Sequence, residues 1–182
     1  MPSDVSWPSW IREHHPNFGA GSIQDRNWED MIRVIRECNA QTVLEVGAGF
    51  STLCFNAVGL EVWSFETDSG WIDFLLASAP GVEFVLYEYP NFPSFGGGQC
   101  DVAFVDGPSA TPDGRLAAMT FATEHSRRIF VHDSRRKPEV AAIAVAFPVS
   151  DWTQTVYAGG LSLFVHKSLN EVYLKTKKPS AN

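Results

Sequence analysis

Apolar positions recur with two different periods along this chain, and the switches between them lay out its elements. Trp28, Met31, Ile32, Ile35 and Cys38 fall at helical spacing, one stripe that predicts an amphipathic helix from an Asp25 N-cap to about Cys38. After Asn39-Ala40-Gln41 the stripe gives way to Val43, Leu44 and Val46, a short β-branched run with the pattern of a strand buried on both faces. Gly47-Ala48-Gly49 then allows a tight turn and close approach of a ligand. Ser51 and Thr52 are N-cap candidates for a helix that runs through Val58 and stops at Gly59. The alternation continues with a strand from Glu61 to Glu66, a helix from Trp71 to Leu76 capped by Asp68 or Ser69, and a strand from Val82 to Tyr87. A strand from Cys100 to Val105 follows, then a helix behind Pro112-Asp113 that carries Leu116, Ala117, Met119, Phe121 and Ala122. Arg128 to Val131 reads as a strand, and Pro138 opens a helix from Glu139 to Phe147. Two strand-like segments, Trp152 to Tyr157 and Leu161 to His166, flank Ala158-Gly159-Gly160 in the manner of a hairpin.

Strands that alternate with helices imply a parallel sheet covered on both faces. The predicted class is α/β, a Rossmann-like doubly wound and mostly parallel sheet that closes with an antiparallel C-terminal hairpin strand. The 182 residues fit one domain with a sizeable core. The expected organisation is an N-terminal arm over residues 1–24, a ligand-binding domain over 25–174 and a disordered tail over 175–182. The arm holds Trp7, Trp10 and Phe18, which are costly to leave in water, so it is expected to pack on the domain. His14, His15 and Asn17 then lie near the site if the arm covers it.

Charge narrows the partners. A formal net charge of −7 disfavours a general nucleic-acid binder, which needs a basic face for phosphates. Arg127, Arg128, Arg135, Arg136 and Lys137 cluster locally and read as solvated charge flanking a strand. No apolar run reaches the ~18 residues of a membrane helix, and no secretory signal is evident at the N-terminus. The three cysteines, Cys38, Cys54 and Cys100, form no C-x-x-C pair. They read as reduced thiols of a cytoplasmic protein.

The chemistry concentrates where strands end. A strand, a glycine turn and a helix N-terminus offer backbone N–H groups to a ligand beside the sheet edge. Thr52 stands where the third glycine of a dinucleotide fingerprint belongs, so that fingerprint is incomplete. Glu66 ends its strand about 17 positions after Gly49, close to the spacing at which an acid accepts hydrogen bonds from ribose hydroxyls. Asp106-Gly107-Pro108 closes the fourth strand and His132-Asp133-Ser134 the fifth, so two more strands deliver polar groups to the same edge.

The succession EVGAG, FETD, FVDGP and FVHDS resembles, in order and spacing, the motifs of class I S-adenosylmethionine (SAM)-dependent methyltransferases. The resemblance spans about Asp25 to Lys167. It implies SAM as cofactor and methyl transfer, to oxygen or nitrogen, on a small-molecule acceptor. Gly47 and Gly49 would let the loop approach the methionine moiety, Glu45 would orient the loop or the methionine amino group, and Ser51 would lie at the cofactor. Glu66 would hold the ribose, residues after the third strand (Glu88, Tyr89) would approach the adenine, and Asp106 would sit by the amino acid end or the acceptor. His132 is the candidate base, with a usual pKa of about 6.5, and Asp133 and Asp106 complete the catalytic set. Some O-methyltransferases of this class hold a divalent cation on carboxylates after the fourth and fifth strands. Asp106 and Asp133, with His132, could hold Mg²⁺ here, although Asp-Ser replaces the characteristic Asp-Asn pair. Phe92 and Phe95, with the aromatics of the arm, are candidates for the acceptor wall. A non-catalytic SAM-fold scaffold and a nicotinamide-dependent oxidoreductase are the alternatives.

Overall fold

A computed structural model describes residues 25–108 and 111–169. The arm, with Trp7, Trp10, His14, His15, Asn17 and Phe18, and the tail beyond 169 lie outside the described residues. The elements are α1 (Asp25–Glu37), β1 (Thr42–Val46), α2 (Phe50–Ala57), β2 (Glu61–Glu66), α3 (Ser69–Leu76), β3 (Val82–Leu86) and β4 (Val102–Val105). They continue with α4 (Leu116–His125), β5 (Arg128–Val131), α5 (Lys137–Ala146), β6 (Trp152–Val156), a 3₁₀ turn at Ala158–Gly160 and β7 (Ser162–His166).

Seven strands form one sheet in the order β3-β2-β1-β4-β5-β7-β6. The first five run parallel, while β7 is antiparallel to both β5 and β6. The central strands carry the predicted two-sided burial. Successive residues of β1, β4 and β5 point to opposite faces, so Val43, Phe104 and Phe130 join a core with α1, α2 and α3. Leu44, Ala103, Val105, Ile129 and Val131 join a second core with α4 and α5. The edge strands are different: β6 is exposed beyond Trp152, and its Thr-Gln-Thr run reads as polar for that reason.

Boundaries shift where side chains turn inward. Helix α2 starts at Phe50 with Gly49 as its N-cap, so Ser51 and Thr52 lie inside its first turn rather than capping it. Helix α4 starts at Leu116, with Arg115 ahead of it in the left-handed region at φ 65°. Its start is therefore later than Pro112-Asp113 suggests. Cys100 lies outside β4 and makes an isolated bridge to Ser126. No helix among the described residues is long and apolar enough to cross a membrane.

Candidate active site

The parallel ladder runs one rung past the strand ends and ties the C-terminal loops into a common rim. Tyr87 N–H donates to Glu66 O (3.0 Å), Gly47 N–H to Phe65 O (2.8 Å), and His132 N–H to Val105 O (3.0 Å). Between them, Val46 O accepts from both Asp106 N–H (2.9 Å) and Gly107 N–H (2.8 Å). β1 and β4 are neighbours whose chains wind away in opposite directions, and the crevice beyond such a switch point is where open α/β sheets bind ligands. Gly47, at φ 94°, has to be glycine: a Cβ there would lie 2.4 Å from Gly107 N. Gly49 faces the other way, and a Cβ on it would project into space with nothing within 4 Å.

The turn itself corrects one expectation. Its N–H groups are spent inside the protein rather than offered to a ligand. Gly47 N–H is on β2, Ala48 N–H donates to Glu66 Oε2 (3.0 Å), and Gly49 N–H donates to Thr52 Oγ1 (2.7 Å). The Ala48 carbonyl accepts from Trp71 Nε1 (2.8 Å). What remains open at the turn is the volume in front of Gly49.

The Glu45 and Ser51 side chains are buried beneath the turn. Glu45 is 0 % exposed. It accepts hydrogen bonds from Ser51 Oγ (2.5 Å), Thr52 Oγ1 (2.6 Å) and Ser64 Oγ (2.7 Å). Burial pushes its carboxyl up to about 7, against the pull of the three hydroxyls. The chain Gly49 N–H to Thr52 hydroxyl to Glu45 shows its role: it holds the turn from behind. The Ser51 hydroxyl is consumed in the same knot.

Glu66 does reach the rim. Oε2 binds the turn at Ala48, while Oε1 accepts from Thr67 N–H (2.6 Å), Thr67 Oγ1 (3.1 Å) and Asp68 N–H (3.1 Å). A carboxylate offers about four acceptor sites, two on each oxygen, so Oε2, with its one donor from Ala48, keeps a site for a ribose hydroxyl. Next to it, a cavity of about 610 Å³ is lined by Thr67, Tyr87, Glu88, Tyr89, Pro108 and Thr111, with Leu86. That volume lies within the range of small-molecule sites. Tyr89 closes one side of it by donating to Asp113 Oδ2 (2.5 Å). Phe92 and Phe95 lie elsewhere. They line a separate groove of about 660 Å³ against Leu116, Phe121 and His125, and Phe92 stacks on both Tyr87 and Phe121.

The ends of β4 and β5 bring Asp106, His132 and Asp133 together. His132 Nδ1 lies 3.0 Å from Asp106 Oδ1 and 3.8 Å from Asp133 Oδ2. In the neutral ring, the tautomer that donates Nδ1–H to Asp106 leaves Nε2 as the proton acceptor. Burial lowers the His132 pKa, but the hydrogen bond and charge of Asp106 and the charge of Asp133 outweigh it. The net result is a pKa above the usual 6.5, with Arg115 opposing.

Two buried charged residues at this site, Arg115 and Glu139, escape the sequence. Arg115 is fully buried, 17 positions from the histidine whose carbonyl it holds. Its Nε donates to Pro108 O (3.1 Å) and its Nη1 to His132 O (3.1 Å). Its guanidinium also lies 3.5 Å from Asp106, 3.8 Å from Asp133 and 3.8 Å from Glu139, itself buried. Arg115 and Asp133 (φ 57°) are both non-glycine residues in the left-handed region, a conformation worth about 1–2 kcal/mol of strain each. A polar residue ahead of an apolar helix gives no hint that it turns inward.

No protein-family model and no curated protein sequence matches this chain. Solved structures do. The O-methyltransferase TomG from Streptomyces achromogenes, involved in tomaymycin synthesis and solved with SAM, is similar at 17% identity and TM-score 0.64, over 91% of this chain and 92% of that one. An O-methyltransferase from Bacillus cereus, in complex with SAH, is similar at 17% identity and TM-score 0.62, over 92% and 93%. A TehB-like SAM-dependent methyltransferase from Corynebacterium glutamicum is similar at 15% identity and TM-score 0.53, over 78% and 97%.

Proposed function

We propose that this chain, which has the Rossmann-like fold of the class I SAM-dependent methyltransferases, transfers a methyl group from SAM to an oxygen or nitrogen of a small-molecule acceptor. The observation that carries the reading is the shared rim. Gly49, Glu66 and the Asp106–His132 pair converge on one edge of the sheet, with open volume at Gly49 and a cavity beside it.

SAM, when bound, supplies a methyl group on a sulfonium, an electrophile that needs little covalent help. The residues of this chain have three tasks. Gly49 would leave room for the methionine portion, and Glu66 would bind the ribose through the open acceptor site on Oε2. Thr67, Tyr87, Glu88 and Tyr89 would enclose the adenine. His132 Nε2 would take the proton of the acceptor hydroxyl or amine, its ring held in place by Asp106. Positioning the acceptor in line with the methyl group provides the rest.

A divalent cation fits this site poorly. The ligand atoms of Asp106, His132 and Asp133 lie within 4.8 Å of one another, but two guanidiniums already neutralise these carboxylates. Arg115 lies against both, and Arg136 Nη2 is 2.6 Å from Asp133 Oδ2. No step is therefore assigned to a metal. An acceptor of modest size, rather than nucleic acid, is favoured by the net charge of −7. The free thiols of Cys38, Cys54 and Cys100 favour a cytoplasmic setting.

Calorimetry with S-adenosylhomocysteine, then transfer of labelled methyl to a panel of small phenols, alcohols and amines, tests the reading. Binding and turnover are expected. Binding without turnover on any acceptor would favour a scaffold, and NADH binding tighter than S-adenosylhomocysteine would overturn the reading.

A further inference from the structure

We propose that Arg115 is a built-in counter-cation, standing where a divalent ion would otherwise bridge Asp106 and Asp133, and that this transferase therefore works without a metal. The second half rests on the methyltransferase reading; the first does not.

Three carboxylates, those of Asp106, Asp133 and Glu139, crowd the ends of β4 and β5 and the start of α5. Buried or half-buried carboxylates at such distances need positive charge between them. The Arg115 side chain is 0 % exposed and its guanidinium reaches all three: Nη1 to Asp106 (3.5 Å), Nη2 to Asp133 (3.8 Å) and Nε to Glu139 (3.8 Å). Backbone carbonyls of Pro108 and His132 fix its plane. Yet Nη2 and Glu139 Oε2, both buried, have no hydrogen-bond partner among the described residues. The guanidinium is thus held by the charge around it more than by saturated hydrogen bonds. A guanidinium on the chain itself cannot be chelated away. A divalent ion bound to the same oxygens would need ligand distances of about 2.0–2.1 Å for Mg²⁺. It would then sit next to a fixed positive charge that has no route to solvent. The chain also tolerates left-handed backbone at both Arg115 and Asp133, the two residues that face each other across this contact.

The test is a Mn²⁺ titration followed by electron paramagnetic resonance, on the full chain, with no methyl donor or acceptor present. The wild-type protein is expected to show no saturable site in the millimolar range. Arg115→Gln is expected to gain one, tighter by about tenfold or more; Arg115→Gln combined with Asp133→Asn loses it again, and Arg115→Lys does not acquire it. A merely structural arginine would lower stability in Arg115→Gln without creating a site. Should that variant fail to fold, Arg136→Ala decides. Its side chain is 52 % exposed, it leaves Arg115 in place, and it is expected to bind no Mn²⁺. A wild-type site abolished by Asp133→Asn, a folded Arg115→Gln that gains none, or a site in Arg136→Ala overturns the proposal. Labelled methyl transfer that is unchanged by EDTA supports the metal-free half, and transfer abolished by EDTA overturns it. Absence of any turnover would count against the methyltransferase reading and leave the Mn²⁺ result standing.

Discussion

Two carboxylates belong to neighbouring strands, one within β1 and one just past the end of β4, and the fold treats them in opposite ways. Glu45, on β1, is sealed from water and accepts hydrogen bonds from the hydroxyls of Ser51, Thr52 and Ser64. Asp106, just past β4, keeps part of its surface in water and meets charged or chargeable partners, His132 and Arg115. Neutral donors cannot offset the loss of hydration of an ion, so Glu45 is pushed towards its protonated form and serves as a prop. A titratable partner can share a proton, so the Asp106–His132 pair is suited to chemistry.

The sharpest break of this contrast is at His132. His132→Ala is expected to slow turnover by about 10²–10⁴-fold, the usual contribution of a general base, with SAM affinity unchanged by calorimetry. A matching loss of affinity would mean that His132 props the rim as Glu45 does. On the other side, Glu45→Ala strands three buried hydroxyls and leaves a cavity, and should cost about 3 kcal/mol in urea unfolding. Glu45→Gln keeps the shape and one acceptor and should cost less than half of that. Glu66→Ala should weaken SAM binding by about 1–3 kcal/mol, the scale of a lost hydrogen bond to a charged group; unchanged affinity would remove Glu66 from the ribose role.

Smaller effects follow from pH. The base has to be neutral, and the His132 pKa is raised, so the acid limb of kcat/KM is expected to lie above pH 6.5 and to move down in Asp106→Ala. Glu45 has a folded pKa of about 7 against an ordinary 4.5. Between these values the folded state holds a proton that the unfolded state releases, so this group stabilises below about pH 4.5 and loses that contribution as pH rises through about 7. Chemical denaturation across that window should show stability falling with pH in the wild type and a flatter profile in Glu45→Gln.

Much of the fold was legible because its signals are local. The α1 stripe of Trp28, Met31 and Ile35, the apolar runs of β1, β4 and β5, and the glycines between β6 and β7 each report their own neighbourhood. Glu66, Asp106 and His132 were legible for the same reason: each directly follows or ends an apolar run, and in an α/β sheet that position is the rim. The direction of a side chain was not. Ser64 and Phe121, distant in the chain, decide which way Glu45 and Phe92 face.

By itself, the sequence determined the α/β class, the parallel order of alternating strands and helices, and the set of strand ends that could carry chemistry, since hydrophobic period and turn chemistry act over a few residues. Only the tertiary structure decided which carboxylate is buried among hydroxyls, which is paired with a histidine, and that Arg115 enters the interior between them. Those outcomes depend on desolvation and on charges brought close from separate segments, and neither quantity exists until the chain has folded.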